Sequence, residues 1–175
     1  MTGAPAPADG RRIAANLARI RDGVAAACRR AGRDPGAVTI VGVSKYVDAA
    51  TARLVHAAGC IDLAESRPQE LWAKADALAG LEPPPRWHLV GHLQRNKVRR
   101  TLEIGPLIHS LDSRRLLETL AAEAARAGRT CEALVEVNLA GDPGRTGATE
   151  AEAEALVAAA AALPHLHVRG LMGMA

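Results

Sequence analysis

Lys45 is the residue whose type and place in this sequence most directly suggest covalent chemistry. It comes near the end of an apolar, β-branched run, 38–46, and such a run is typical of a strand buried on both faces in a parallel sheet. Only three of the 22 basic residues are lysines, and a lysine amine, unlike an arginine guanidinium, can lose its proton and attack a carbonyl carbon. Two interpretations stay open: a nucleophilic amine, or a strand-end side chain that reaches towards water.

Polar side chains also follow the later apolar runs, and the carboxyl ends of strands are where parallel α/β folds collect functional groups. The groups at the five other predicted strand ends are Glu65-Ser66-Arg67, His92 with Gln94 and Asn96, Asp112-Ser113, Asn138, and Met172 with Met174.

Three common kinds of site are disfavoured. The nucleophile-elbow pattern Gly-x-Ser-x-Gly does not occur, so serine hydrolysis is not expected. His88 and His92 share a strand face, but four strand residues separate their Cα atoms by about 13 Å, too far for one ion, and no metal site is predicted. The glycine loop 141–147 lacks the Gly-Lys-Ser/Thr ending of a P-loop, so a flexible loop with an anion-attracting Arg145 is expected instead.

Strand and helix patterns alternate six times, which is typical of successive βαβ units in a parallel sheet. The turn after the first strand has no glycine-rich dinucleotide fingerprint, which disfavours an open doubly wound sheet. We therefore predict an α/β fold, a (β/α)8 TIM barrel that is C-terminally incomplete because only six βα strands are visible. The predicted strands start near Val38, Cys60, Trp87, Leu107, Ala133 and Val168. Two helix starts carry capping boxes, Ser66 with Gln69 and Thr149 with Glu152.

Length and composition set the broad class of protein. With 175 residues and 49% hydrophobic residues, the chain is expected to form one domain over 11–175, preceded by a disordered N-terminal tail over 1–10. Three widely spaced cysteines fit reduced, buried thiols and a cytoplasmic protein. No run of about 18 apolar residues predicts a membrane span, and a net charge of +3 with one tyrosine and two tryptophans predicts no nucleic-acid partner.

Five segments carry a more specific signal: Val43-Ser44-Lys45, 65–70, 87–97, 137–139 and 170–174. In order and spacing they resemble the pyridoxal phosphate homeostasis proteins, whose single domain is similar to the N-terminal barrel of alanine racemase. The Trp-His-x-x-Gly-x-Leu-Gln-x-Asn-Lys block, residues 87–97, is the most specific of the five.

This resemblance implies that Lys45 holds pyridoxal 5'-phosphate (PLP) as a Schiff base. Ser66, Arg67, Asn138 and Met172 are the further residues predicted to bind the cofactor. The implied role is intracellular vitamin B6 homeostasis without catalytic turnover, by a monomer whose expected partners are PLP and apo forms of PLP enzymes.

Two alternatives stay open, a racemase-like PLP enzyme and an inert truncated fragment of the barrel. A racemase needs a second proton-transfer group on the opposite face of the cofactor. Tyr46, the only tyrosine, directly follows Lys45 and is predicted to point to the other side of the sheet.

Overall fold

A computed structural model describes residues 9–142 and 144–174 as a parallel six-stranded sheet with helices between successive strands. The strands are β1 (Gly42–Val43), β2 (Asp62–Glu65), β3 (Arg86–Leu89), β4 (Leu107–Leu111), β5 (Cys131–Val137) and β6 (Leu166–Gly173). The helices are α1 (Gly10–Arg30), α2 (Ala49–Ala57), α3 (Pro68–Ala77), α4 (Val98–Ile104), α5 (Arg114–Arg126) and α6 (Glu150–Ala160), with short 3-10 helices at Pro35–Ala37 and Arg95–Lys97.

The sheet order is the order of the strands in the chain, and every adjacent pair is parallel. A barrel adds each new strand beside the preceding one, whereas a doubly wound sheet reverses direction at a switch point. Within the described residues β1 and β6 are the two edges and do not pair. The prediction of a partial barrel with six βα strands is therefore confirmed.

The hydrophobic core lies between the outer face of the sheet and the helices. Leu63 of β2, Leu89 of β3 and Ile108 of β4 are fully buried, and Leu71 of α3 and Leu117 of α5 belong to the same cluster. Alternate strand residues point to opposite faces, so the neighbours of these core residues face the inside of the partial barrel. The sheet thus places two different sets of side chains in two different environments.

The first strand departs from its prediction. The run 38–46 was expected to form a strand buried on both faces, but only Gly42 and Val43 pair with β2, and Val43 is 52% exposed. A strand needs neighbours on both sides and cover on both faces to be buried throughout. No described strand pairs with the outer side of β1, so its apolar side chains remain partly open.

The helix starts follow the predictions in part. The capping box of Thr149 with Glu152 is present at α6. The box predicted for Ser66 with Gln69 is wrong, because α3 begins one residue later, at Pro68. Residues 1–8 of the predicted tail lie outside the described residues, while Asp9 caps α1, which begins at Gly10. Among the described helices, none combines the length and the apolar character that crossing a membrane requires.

Candidate functional site

Lys45 lies in a tight turn directly after β1. The turn is closed by the Val47 N–H, which donates to the Ser44 carbonyl oxygen at 3.1 Å. Lys45 is exposed, and its Nζ lies 5.2 Å from the centre of the Tyr46 ring. The prediction that Tyr46 points away from Lys45 is therefore wrong, because strand alternation ends at Val43 and the two residues belong to the turn.

The three lysines differ in what their amines contact. Lys74 is buried and its Nζ lies 2.6 Å from Glu65 Oε1, whereas the Nζ of Lys97 lies 5.8 Å from the Trp72 ring centre. Lys45 Nζ has no hydrogen bond or ion pair with the part of the chain that the structure describes. Lys45 is exposed, Lys97 is half-buried and Lys74 is buried, so Lys45 carries the most accessible of the three amines for nucleophilic chemistry.

Ser66 and Arg67 follow β2, the strand beside β1. Arg67 is exposed and Ser66 is half-buried, and neither side chain has a hydrogen-bond partner within residues 9–142 and 144–174. The Ser66 carbonyl oxygen lies directly under Gly91, where a Cβ would overlap it. The end of β2 is thus packed tightly against the end of β3, while its polar side chains remain free to bind a ligand.

Asn138 follows β5. Its Nδ2 donates to the Asp142 carbonyl oxygen at 2.7 Å, but its Oδ1 is buried without a partner among the described residues. A buried acceptor in this condition costs free energy unless a water or a ligand donates to it. Asn138 is therefore a candidate to accept a hydrogen bond from a bound molecule.

Met172 lies within β6 and not after it. It is the register partner of Glu136 in β5, so the two side chains share a face of the sheet. The Glu136 carboxylate accepts a hydrogen bond from Thr146 Oγ1 at 2.8 Å, which ties the glycine loop to β5. Met172 therefore contributes an apolar surface one residue before the end of β6.

The five predicted cofactor-binding residues form two groups at the carboxyl edge of the sheet. Lys45, Ser66 and Arg67 lie at the adjacent ends of β1 and β2, whereas Asn138 and Met172 lie at the adjacent ends of β5 and β6. No hydrogen bond within the described residues joins the groups. The ends of β3 and β4 lie between them, with His92 Nδ1 4.0 Å from Asp112 Oδ2.

His88 faces the inside of the partial barrel near the amino ends of the strands. Its Nε2 lies 3.1 Å from Asp62 Oδ1, and its Nδ1 lies 2.9 Å from His109 Nε2. Arg86 makes two hydrogen bonds to the Asp62 carboxylate, at 2.6 and 2.9 Å. Burial and the charge of His88 lower the pKa of His109 from 6.5 to about 4. Burial opposes ionisation of Asp62, but the hydrogen bonds from Arg86 and His88 outweigh it and hold its pKa below 3.8.

His88 and His92 have different partners, and no group of three metal-binding side chains occurs in the described part of the chain. The glycine loop is organised by Asp142, whose carboxylate accepts from the Gly144 N–H at 2.8 Å. Arg145 is exposed at the rim of this loop.

The sequence interpretation missed the buried network of Ser44, Glu65 and Lys74, which joins β1, β2 and α3. Lys74 was visible as a rare lysine and Glu65 as a strand-end carboxylate. Nothing in the spacing showed that they pair, because they belong to different elements whose packing angle is set by the whole sheet.

Comparisons with known proteins match nearly the whole chain to one family. A family model described as alanine racemase, N-terminal domain, matches residues 11–175. A pyridoxal phosphate homeostasis protein of Pseudomonas aeruginosa is 35% identical over 162 residues, which cover 93% of this chain and 70% of the relative.

Two solved structures are similar throughout the chain. A structure described as an unknown protein from Bifidobacterium adolescentis superposes with a TM-score of 0.86 at 31% identity, covering 94% of this chain and 70% of that one. PipY of Synechococcus elongatus, solved with PLP bound, superposes with a TM-score of 0.79 at 36% identity, covering 93% of this chain and 70% of that one.

Proposed function

Because this chain belongs to the pyridoxal phosphate homeostasis proteins, within the family of alanine racemase N-terminal domains, we propose that it binds PLP through a Schiff base to Lys45 and takes part in vitamin B6 homeostasis. The observation that carries this proposal is the exposed amine of Lys45, which makes no hydrogen bond or ion pair with the described residues, in a turn at the carboxyl edge of a partial barrel. A relative that has been solved with PLP bound supports the choice of cofactor.

The residues at this edge fit the cofactor chemically. Lys45 Nζ would attack the aldehyde carbon of PLP, and one water leaves as the C=N bond forms. Arg67 supplies a cation and Ser66 a hydroxyl for the phosphate, Asn138 Oδ1 accepts a hydrogen bond, and Met172 offers an apolar contact. When bound, PLP would supply an electron sink, and its former aldehyde carbon could be transferred from Lys45 to another amine by exchange of one C=N bond for another.

We expect storage and delivery of the cofactor without catalytic turnover. Amino-acid racemisation needs proton-transfer groups on both faces of the cofactor, and Lys45 and Tyr46 lie side by side in one turn. Apo forms of PLP enzymes are the proposed recipients. A monomer in dilute solution suffices, because Lys45 needs no second chain to present its amine. The three buried, free cysteines support a reducing, cytoplasmic setting.

The assignment of Lys45 is tested by incubating the protein with PLP, reducing with borohydride and mapping the modified lysine by mass spectrometry. The adduct is expected on Lys45, lost in Lys45→Ala and retained in the control Lys97→Ala. Modification centred on Lys74 or Lys97, or an undiminished adduct in Lys45→Ala, would overturn the proposal.

The absence of turnover is tested separately, with L-alanine and PLP in deuterated water. We expect no more deuterium at Cα than free PLP produces under the same conditions. Exchange faster than with free PLP, abolished by Lys45→Ala or Tyr46→Phe, would favour the racemase alternative.

A further inference from the structure

A buried hydrogen-bonded network lies directly beneath the turn that carries Lys45. Lys74 Nζ donates to Glu65 Oε1 at 2.6 Å and to the Ser44 carbonyl oxygen at 2.7 Å. Ser44 Oγ donates to the same Glu65 oxygen at 2.6 Å. All three residues are at most 5% exposed, and they connect the end of β1, the end of β2 and the last turn of α3.

A buried network of this kind adds little to the free energy of unfolding. Two charges must leave water to form it, and a buried ion pair often contributes no more than well-packed apolar side chains of the same volume. Glu65 Oε2 also has no partner within the described residues, so the carboxylate is only partly satisfied. The arrangement therefore points to placement of neighbouring groups more than to stability.

The short strand β1, which precedes Lys45, depends on contacts with neighbouring elements for its position. β1 contributes only Gly42 and Val43 to the ladder, followed by one more bond from the Ser44 N–H to the Ala64 carbonyl oxygen at 2.9 Å. The Ser44 carbonyl oxygen closes the turn by accepting from Val47, and Lys74 donates to that same oxygen. Every polar group of Ser44 is thus held from β2 or α3, or by the turn itself.

We propose that Glu65 and Lys74 are positioning residues for Lys45: they hold Ser44 so that the turn presents the Lys45 amine at the carboxyl edge of the sheet in one orientation. This inference rests on the proposed function of Lys45. A preorganised amine reacts faster because less orientational freedom is lost on the way to the transition state. The network orients the amine, so the gain in rate should be the same for PLP and for pyridoxal, which has no phosphate.

The test compares a double variant with a matched control on the same strand. Glu65→Gln/Lys74→Met removes both charges at nearly constant volume, which avoids leaving one of them buried alone. Asp62→Asn disturbs the other ion pair of β2, at its opposite end, where the buried Asp62 is bound by the exposed Arg86 and the buried His88. Rates of imine formation with PLP and with pyridoxal are measured by absorbance, at a temperature where far-UV circular dichroism shows each protein folded.

We expect the double variant to react on the order of tenfold more slowly with both aldehydes. Asp62→Asn should react like the unmodified protein even where its melting temperature falls. Unchanged rates in the double variant, or an equal slowing in Asp62→Asn, would overturn the positioning role, as would a slowing confined to PLP.

A second variant covers the case in which the double variant does not fold. Ser44→Ala deletes only the hydroxyl, which donates to Glu65 and, at 3.4 Å, to the Ala64 carbonyl oxygen, and it is expected to slow both reactions; unchanged rates would count against the inference. Mapping the borohydride adduct distinguishes a failure of the positioning role from a failure of the proposed function of Lys45. An adduct on Lys45 with unaffected rates in the variants defeats the positioning role alone, whereas an adduct on another lysine of the unmodified protein defeats the proposed function.

Discussion

Gly91 shows why the most specific block of the sequence, residues 87–97, contains a glycine. A Cβ at this position would overlap the carbonyl oxygen of Ser66. The chain is held there from both sides, since the Val90 N–H donates to the Glu65 carbonyl oxygen at 2.9 Å and Ser110 Oγ donates to the Gly91 carbonyl oxygen at 2.8 Å. The backbone at Gly91 therefore cannot move aside to make room for a side chain.

Gly91→Ala is expected to destabilise the protein by about 1–3 kcal/mol, the range for overpacking a well-ordered site. Urea unfolding measures the loss. Gly23→Ala is the matched control, because Gly23 is exposed in α1 with no atom near the position of the added Cβ. That change should raise stability by about 0.5–1 kcal/mol, as removal of a helical glycine does. Equal stability of the two variants would contradict this account of Gly91.

At the scale of elements, the inner face of the sheet is joined by a polar cluster that crosses three strands. Asp62 of β2, His88 of β3 and His109 of β4 are connected in sequence by hydrogen bonds, and they line a cavity of about 700 Å³. The cluster keeps His109 neutral, with a pKa of about 4 where an ordinary histidine has 6.5. Because the folded state then binds fewer protons than the unfolded state, acid favours unfolding.

We expect the free energy of unfolding to fall as the pH decreases from 6.5 to about 4, the interval between the two His109 pKa values. His109→Gln retains a hydrogen-bonding group for His88 and should remove that part of the pH dependence. Urea unfolding at several pH values measures it, with the exposed His167 replaced by Gln as control. The pKa of Asp62 is lowered, so its contribution to the free energy of unfolding is lost only as the pH falls below 3.8. The same slope between pH 6.5 and 4 in His109→Gln as in the unmodified protein would be inconsistent with a neutral His109.

At the scale of the whole molecule, the outer edge of β6 is unpaired within the described residues. Leu171 of β6 is 65% exposed, and it lines an apolar groove of about 780 Å³ with Leu139 and Val157. An exposed apolar edge strand is a template on which a second copy of the chain can pair. The monomer expected for dilute solution should therefore associate as the protein concentration rises.

Leu171→Lys places a charge on this edge and is expected to shift self-association to higher protein concentration. Sedimentation velocity over a concentration series measures the shift. Ile20→Lys is the control. Ile20 is 50% exposed on α1, so the substitution adds the same charge at an exposed position away from the β6 edge. An equal response of the two variants would mean that net charge, and not the edge, controls association.

The amino-acid sequence by itself determined the succession of elements. Hydrophobic periodicity reflects burial of one strand or helix face, and Thr149 with Glu152 reflects local helix capping, so both can be read without tertiary information. The position of Lys45 after the first apolar run and its scarcity as a lysine likewise needed no structure. The helix start predicted from Ser66 and Gln69 was wrong, because a capping pattern is only a local signal. The helix α3 begins one residue later, at Pro68.

Only the tertiary structure decided which residues share an environment. The pairing of Lys74 with Glu65, the chain from Asp62 to His109 and the approach of Gly91 to Ser66 join residues that lie on different elements. Their distances depend on sheet register and helix packing, which are properties of all the strands together. The same holds for the exposure of Val43, because whether a β-branched strand is buried depends on what pairs with it and not on its own composition.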